Sequence, residues 1–144
     1  MTAAEVWRGL ARRAEAAQGP DRALDGEVWC ALNDYTPVRW DGAGMAYRDP
    51  GAPDWRRRDI QHCPGGLIKP YTASVDAGIT TISAVIISLS DIGGDGLPFA
   101  RIGETEPPAP LDGIGTGRTL PLALIAASMN LRAEQADRDQ GTRA

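Results

Sequence analysis

The sequence predicts an α+β fold, with a small antiparallel sheet sandwiched between an N-terminal helical hairpin and later helices. Three observations carry this. Apolar residues recur at helical spacing near both ends, as Val6, Leu10, Ala14 and as Leu122, Ile125, Met129. The longest apolar run, Ala84–Leu89, is β-branched and only strand-long, broken at Ser88. The Gly93-Gly94-Asp95-Gly96 turn follows it, so the stretch about 84–103 reads as a hairpin.

Length and charge set the bounds. A chain of 144 residues fits one domain, here 1–133, with a polar tail at 134–144 expected to fray. The net charge is −4 and the pI about 4.9. An acidic surface repels phosphate, so bulk electrostatics disfavour nucleic acid as a partner. The apolar run is too short to span a bilayer, and the start MTAAEVWRGLARRAEAA lacks an apolar signal core, so no membrane association is expected. Cys30 and Cys63 lie far apart without metal-ligand spacing and read as free thiols in a reducing compartment.

In chain order, residues 3–18 form the first helix, with Trp7 and Ala11 widening its apolar stripe. Gly19 stops it. Pro20 opens a second helix ending near Asn33, with Asp21 and Asp25 near its positive end and Leu24, Val28 and Leu32 on one stripe. Short strands at 37–41 and 45–48 are compatible with a small hairpin around Asp41-Gly42-Ala43-Gly44. Beyond Asp49 a loop is expected as far as Lys69. A third, short helix begins at Thr72 or Ser74, either of which can cap it. The strand from Ala84 to Ser90 is apolar on both faces, which points to a central strand covered on both sides. Pro98 cannot donate to a ladder, which points to an edge position for 97–103. Residues 104–118 read as a Pro/Gly linker. Thr119 then caps a last helix, with Pro121 in its first turn.

Four groups are candidates for chemistry. Gly113, Gly115 and Gly117 followed by Arg118 resemble an anion-cradling loop before a helix, but neither dinucleotide-fingerprint nor P-loop spacing is met, and a flexible linker is the favoured reading. His62 and Cys63 are neighbours, and a dyad needs facing side chains, so they read as loop residues without chemistry. Trp55, Arg56, Arg57 and Arg58 form the strongest basic cluster, tempered by Asp54 and Asp59. With Trp40 and Tyr47 they make the candidate partner-binding loop. Asp91, Asp95, Glu104 and Glu106 fall at turns, where Asp serves turn geometry. No catalytic residues, cofactor or metal are assigned, and the chain reads as a non-enzyme.

Three stretches taken together, EAAQGPDRALDGEVWCAL (15–32), YTASVDAGI (71–79) and TLPLALIAASMNLRA (119–133), resemble a family of short proteins encoded by phages and prophages of high-GC bacteria, close to the phage ABA sandwich domain. The likeness covers about a third of the residues and all the helical landmarks in order. It implies helices on both sides of a small antiparallel sheet. The chain departs from the pattern in its long 41–68 segment and in having Ala84-Val85-Ile86-Ile87 where a Trp-rich strand is common. The family supplies no catalytic residues to carry over. The resemblance implies a small non-enzymatic accessory protein that binds a protein partner in the bacterial host cytoplasm. The alternatives are a minor virion component, or a nucleic-acid-associated protein using Trp55–Arg58.

Overall fold

The computed structural model describes residues 1–82, 84–92, 96–105 and 110–143, and within them the chain is α+β, as expected. Helices α1 (Ala3–Ala16) and α2 (Arg22–Leu32) lead into strands β1 (Thr36–Trp40), β2 (Gly44–Arg48) and β3 (Gln61–Pro64). The short α3 (Val75–Ile79), strands β4 (Val85–Ser90), β5 (Phe99–Gly103) and β6 (Asp112–Thr116), and α4 (Leu120–Arg143) follow. The strands form two antiparallel sheets, ordered β1-β2-β3 and β4-β5-β6.

Local chemistry starts each helix. Thr2 and Glu5 close a capping box on α1: the Glu5 N–H donates to Thr2 Oγ1 (3.2 Å) and the Thr2 N–H to the Glu5 carboxylate (2.7 Å). The Asp21 carboxylate accepts the Leu24 N–H (3.0 Å) at the head of α2. For α3 the cap is Ser74, which accepts the Ala77 N–H (3.2 Å). Thr72 does something else. Its N–H donates to Asp25 Oδ1 (2.7 Å), and its hydroxyl accepts the Asp21 N–H (2.8 Å) and donates to the Asp21 carbonyl (3.2 Å). Both Asp25 and Thr72 are fully buried. Arg22 completes the clamp, reaching Asp25 (2.8 Å) and the carbonyls of Gly65 (2.6 Å) and Ile68 (3.0 Å). The Gly-Pro-Asp-Arg and Tyr-Thr-Ala-Ser stretches are thus the two halves of one buried polar junction.

The 49–69 segment is more ordered than a loop. It contains β3, which pairs with β2 (Met45↔Cys63, Ala46↔His62), and a 3-10 turn at Gly65–Leu67. Strand β2 buries Gly44, Met45 and Ala46 and gains a partner on each edge, whereas Gln-His-Cys-Pro is too short and polar to show a period of its own. At the β1–β2 turn, Asp41 accepts the N–H groups of Ala43 and Gly44 (2.9 Å each), and Gly42 takes a positive φ of 89°.

Helix α4 is the organising element. Its Leu122, Ile125, Ala126 and Met129 face a core made with α1, α2 and the first sheet. Its Ala123, Leu124, Ala127 and Leu131 face a second core with Ala100 and Ile102 of β5. A helix buried on two sides needs apolar residues around most of its circumference, and 122–129 provides them. Helix α4 runs on to Arg143, and over 134–138 it is tied down: Arg8 of α1 pairs with Glu134 (3.3 Å) and Asp137 (2.5 Å), while Glu104 holds Gln135 and Arg138.

Three expectations about the second half are corrected. The 104–118 linker contains β6, whose Gly113, Gly115 and Gly117 lie directly against α4. A Cβ at Gly113 would overlap the Ala127 carbonyl, and one at Gly115 the Ala127 amide nitrogen. The alternation Asp-Gly-Ile-Gly-Thr is therefore a strand with its small side turned to a helix. The order of the hairpin is also reversed: β5 is central and β4 lies at the edge. Pro98 sits one residue before β5 and its carbonyl accepts the Gly117 N–H (3.3 Å), so it removes no ladder donor. Finally, β4 is not covered on both sides. The expected turn at 93–95 lies outside the described residues.

Candidate functional site

The strand registers define the two faces of the second sheet. Ile86, Ile102 and Gly113 form one cross-strand row, and Leu89, Ala100 and Gly115 another. Ala100 and Ile102 are fully buried under α4, so both rows face the helix. The opposite face carries the rows Val85–Gly103–Asp112, Ser88–Arg101–Ile114 and Ser90–Phe99–Thr116. Ile87 is the extra residue of a β-bulge between Ile86 and Ser88. Its Cδ1 lies over Gly103, where a Cβ would come within 2.7 Å of it, so Ile87 belongs to the outer face.

That outer face is open. Val85 is 47% exposed, Ile87 51% and Ile114 48%. Ile92, just past β4, is 76% exposed. Isolated surface leucines and isoleucines are ordinary, but β-branched residues gathered on one face of one sheet are not. Gly103 contributes no side chain, and Ile87 fills the space above it between Val85 and Asp112. Arg101 and Asp112 pair with each other (2.6 Å). The face is mixed: Val85 and Ile87 on β4 and Ile114 on β6 stand on either side of the Arg101–Asp112 ion pair, with the hydroxyls of Ser88, Ser90 and Thr116 beside them.

The residues singled out from the sequence are placed as follows. Trp40 is a packing residue: its ring lies against the backbone of Gly26 and Gly65, and the Arg22 guanidinium sits 5.4 Å from its centroid. Tyr47 stacks on Tyr35 (4.6 Å) and meets Trp29 edge-on (5.2 Å). Trp55 stands apart from both, 78% exposed, with Arg56 stacked 5.8 Å from its ring. Arg57 pairs with Asp54 (2.7 Å), and the Arg58 carbonyl accepts from Arg48 Nε (3.3 Å). The six residues of the proposed loop are therefore not one surface; the first two belong to the fold. Gly113, Gly115 and Gly117 turn their open side to α4 and leave no room there for an anion, and Arg118 is exposed beside them.

The other candidates are held in structural contacts. His62 Nε2 lies 3.0 Å from Asp41 Oδ2, while Cys63, next along β3, points to the core. Burial raises the Cys63 thiol and pushes Cys30 up to about 12, so both stay protonated and weakly nucleophilic. Arg138 foremost, then the Leu111 N–H and Gln135, hold Glu104 down at about 2. Asp95 and Glu106 lie outside the described residues. An open groove of about 900 Å³ runs between α1, α2 and the start of β1, lined by Val6, Leu10, Tyr35 and Pro37, and its Arg13 and Glu27 pair with each other.

Sequence reasoning missed the outer face of the second sheet because it treated apolar character on both sides of 84–89 as evidence of cover. The available signal was Asp-Gly-Ile-Gly-Thr. A third strand with glycines on one side accepts a helix at only that side, and the other side then carries Ile114. Among described residues no helix is long and apolar enough to cross a membrane, so the exposed patch is not part of a helical span. Compared with protein-family models, curated proteins and solved structures, the chain has no significant match.

Proposed function

We propose that this chain is a small non-catalytic accessory protein that works by binding a protein partner through the open face of the β4-β5-β6 sheet. The observation that carries the reading is the half-exposed set Val85, Ile87 and Ile114 on one face of the sheet, with Ile87 packed over Gly103. Apolar surface of this kind is stabilised when another protein removes it from water, by about 25 cal/mol per Å² of apolar area before the costs of association. The pairing of the carboxylates and the burial of both thiols support the non-catalytic part. The likeness of Glu15–Leu32, Tyr71–Ile79 and Thr119–Ala133 to phage-encoded proteins supports a phage or prophage setting and action inside the bacterial host.

The test uses the immobilised full chain and Ile114→Lys, whose fold is checked by circular dichroism. A host protein retained by wild type is identified by mass spectrometry, purified and titrated against both forms. The reading expects a direct complex weakened at least tenfold by Ile114→Lys, since burying a charge in place of an apolar contact residue costs on the order of 2 kcal/mol or more. Equal affinity of the two forms would overturn it.

A further inference from the structure

We infer that the free edge of β4 is a two-fold contact between two copies of this chain, in which the β4 strands pair antiparallel and join the two sheets into one of six strands. The inference rests on the reading of this sheet as a binding surface, and it names the occupant of its edge.

The edge is unusually bare. β4 pairs with β5 on one side, and among the described residues nothing pairs with its other side. Its six residues, Val85–Ser90, contain no charge and no proline, and the one device that protects edge strands present here is the bulge at Ile87. An occupant must bring backbone donors and acceptors for the edge together with apolar side chains for Val85, Ile86 and Ile87. A second β4 brings both.

The bulge makes the strand self-complementary. From Val85 to Ser90 the side chains point out, in, out, out, in, out, where "in" is toward α4. This order reads the same from either end. A two-fold axis between Ile87 and Ser88 therefore sets Val85 against Ser90 of the second copy, Ile86 against Leu89, and Ile87 against Ser88. Each pair lies on one side of the joined sheet. A regular six-residue strand reversed on itself about its centre would set every outward residue against an inward one. The extra residue removes that mismatch.

Electrostatics permit the pairing. An isologous contact sets each surface against itself, so any charge on it would meet its own kind. β4 has none; Asp91, one residue past it, falls opposite Ala84 of the second copy rather than opposite itself, and on the outer face Arg101 and Asp112 are already paired. The net charge of −4 on each copy acts over distances at which salt screens it. A strand-to-strand contact covers less than the roughly 800 Å² per partner of a standard interface, so a weak, concentration-dependent dimer is expected.

Sedimentation equilibrium of the full chain from about 1 µM to about 300 µM tests this, a range suited to weak association. The expected weight-average mass rises from 15.3 kDa toward twice that value. Ile87→Lys, which sets two ammonium groups beside the axis, is expected to remain at the monomer mass throughout with an unchanged circular dichroism spectrum. If Ile87→Lys fails to fold, Ser88→Lys serves, since Ser88 is exposed. Hydrogen exchange is expected to slow across 85–90 in wild type as concentration rises. A wild-type chain monomeric at the highest concentration would overturn the inference, as would a dimer that survives the edge charge in a folded variant. Ile114→Lys separates the two readings, because Ile114 lies on the far strand. It is expected to keep the dimer while losing the heterologous partner. A monomeric wild type that still shows an Ile114-dependent complex would sink the dimer and leave the proposed function standing.

Discussion

Replacing Asp25 with alanine probes the polar junction between α2 and the 65–72 segment. The carboxylate is fully buried and accepts two hydrogen bonds, from the Thr72 N–H at 2.7 Å and from Arg22 Nη1 at 2.8 Å. Without it the Thr72 N–H is buried without a partner, which costs about 1–3 kcal/mol. Arg22 loses its counter-charge. Truncating one partner of a fully buried pair costs about 3–5 kcal/mol, but Arg22 is partly exposed and keeps the Gly65 and Ile68 carbonyls, so its share is smaller. The sum is about 3 kcal/mol. Against a total of about 5–15 kcal/mol for a domain of this kind, the variant folds but is visibly weakened. Urea unfolding followed by tryptophan fluorescence reads it: with a slope of about 2 kcal/mol per M, the midpoint falls by about 1.5 M. Asp25→Asn keeps an acceptor for Thr72 and is expected to lose about half as much. The double variant Arg22→Met/Asp25→Ala should lose less than the sum of the singles, with a coupling of about 1–2 kcal/mol. A midpoint shift below about 0.5 M for Asp25→Ala, at unchanged slope, would refute the view that this junction ties the two motifs together.

Gly115→Ala should lower stability by about 3 kcal/mol or more, because its Cβ would meet backbone atoms of α4, while Gly9→Ala, in open space on α1, should raise it by about 0.5–1 kcal/mol; thermal melts of the pair read both signs. The acid limb of stability should depend on Glu104. Its carboxyl is held at about 2 against an ordinary 4.5, so it contributes stability above pH 4.5 that is lost as the pH falls toward 2. Glu104→Gln should therefore show a flatter acid limb and a loss at neutral pH on the order of 1 kcal/mol, most of the nominal effect being screened because Arg138 is nearly half exposed. Denaturation midpoints from pH 2 to pH 7 decide it.

Much of the fold was legible locally. Thr2, Asp21, Ser74 and Thr119 announce helix starts by chemistry that needs no tertiary context, and Leu122–Met129 announces burial by composition. β3 was hidden because Gln61–Pro64 is held by the edge of β2 and shows no pattern of its own. The helical stretch from Glu134 to Arg143 was hidden for a similar reason: its polar residues are held by Arg8 and Glu104, which lie far away in sequence. The packing of Trp40 and Tyr47 was hidden because their partners, Arg22 and Tyr35, are ones that no spacing rule brings to them.

By itself the sequence determined the α+β class, the helices, and the two strands of the 84–103 hairpin, because apolar periodicity and turn chemistry act within a few residues. Only the tertiary structure decided which strand lies at the edge and which face stays open. Those depend on where α4 comes to rest, and α4 rests where Gly113 and Gly115 let its backbone approach β6. The result leaves Val85, Ile87 and Ile114 facing outward on a sheet covered from one side only.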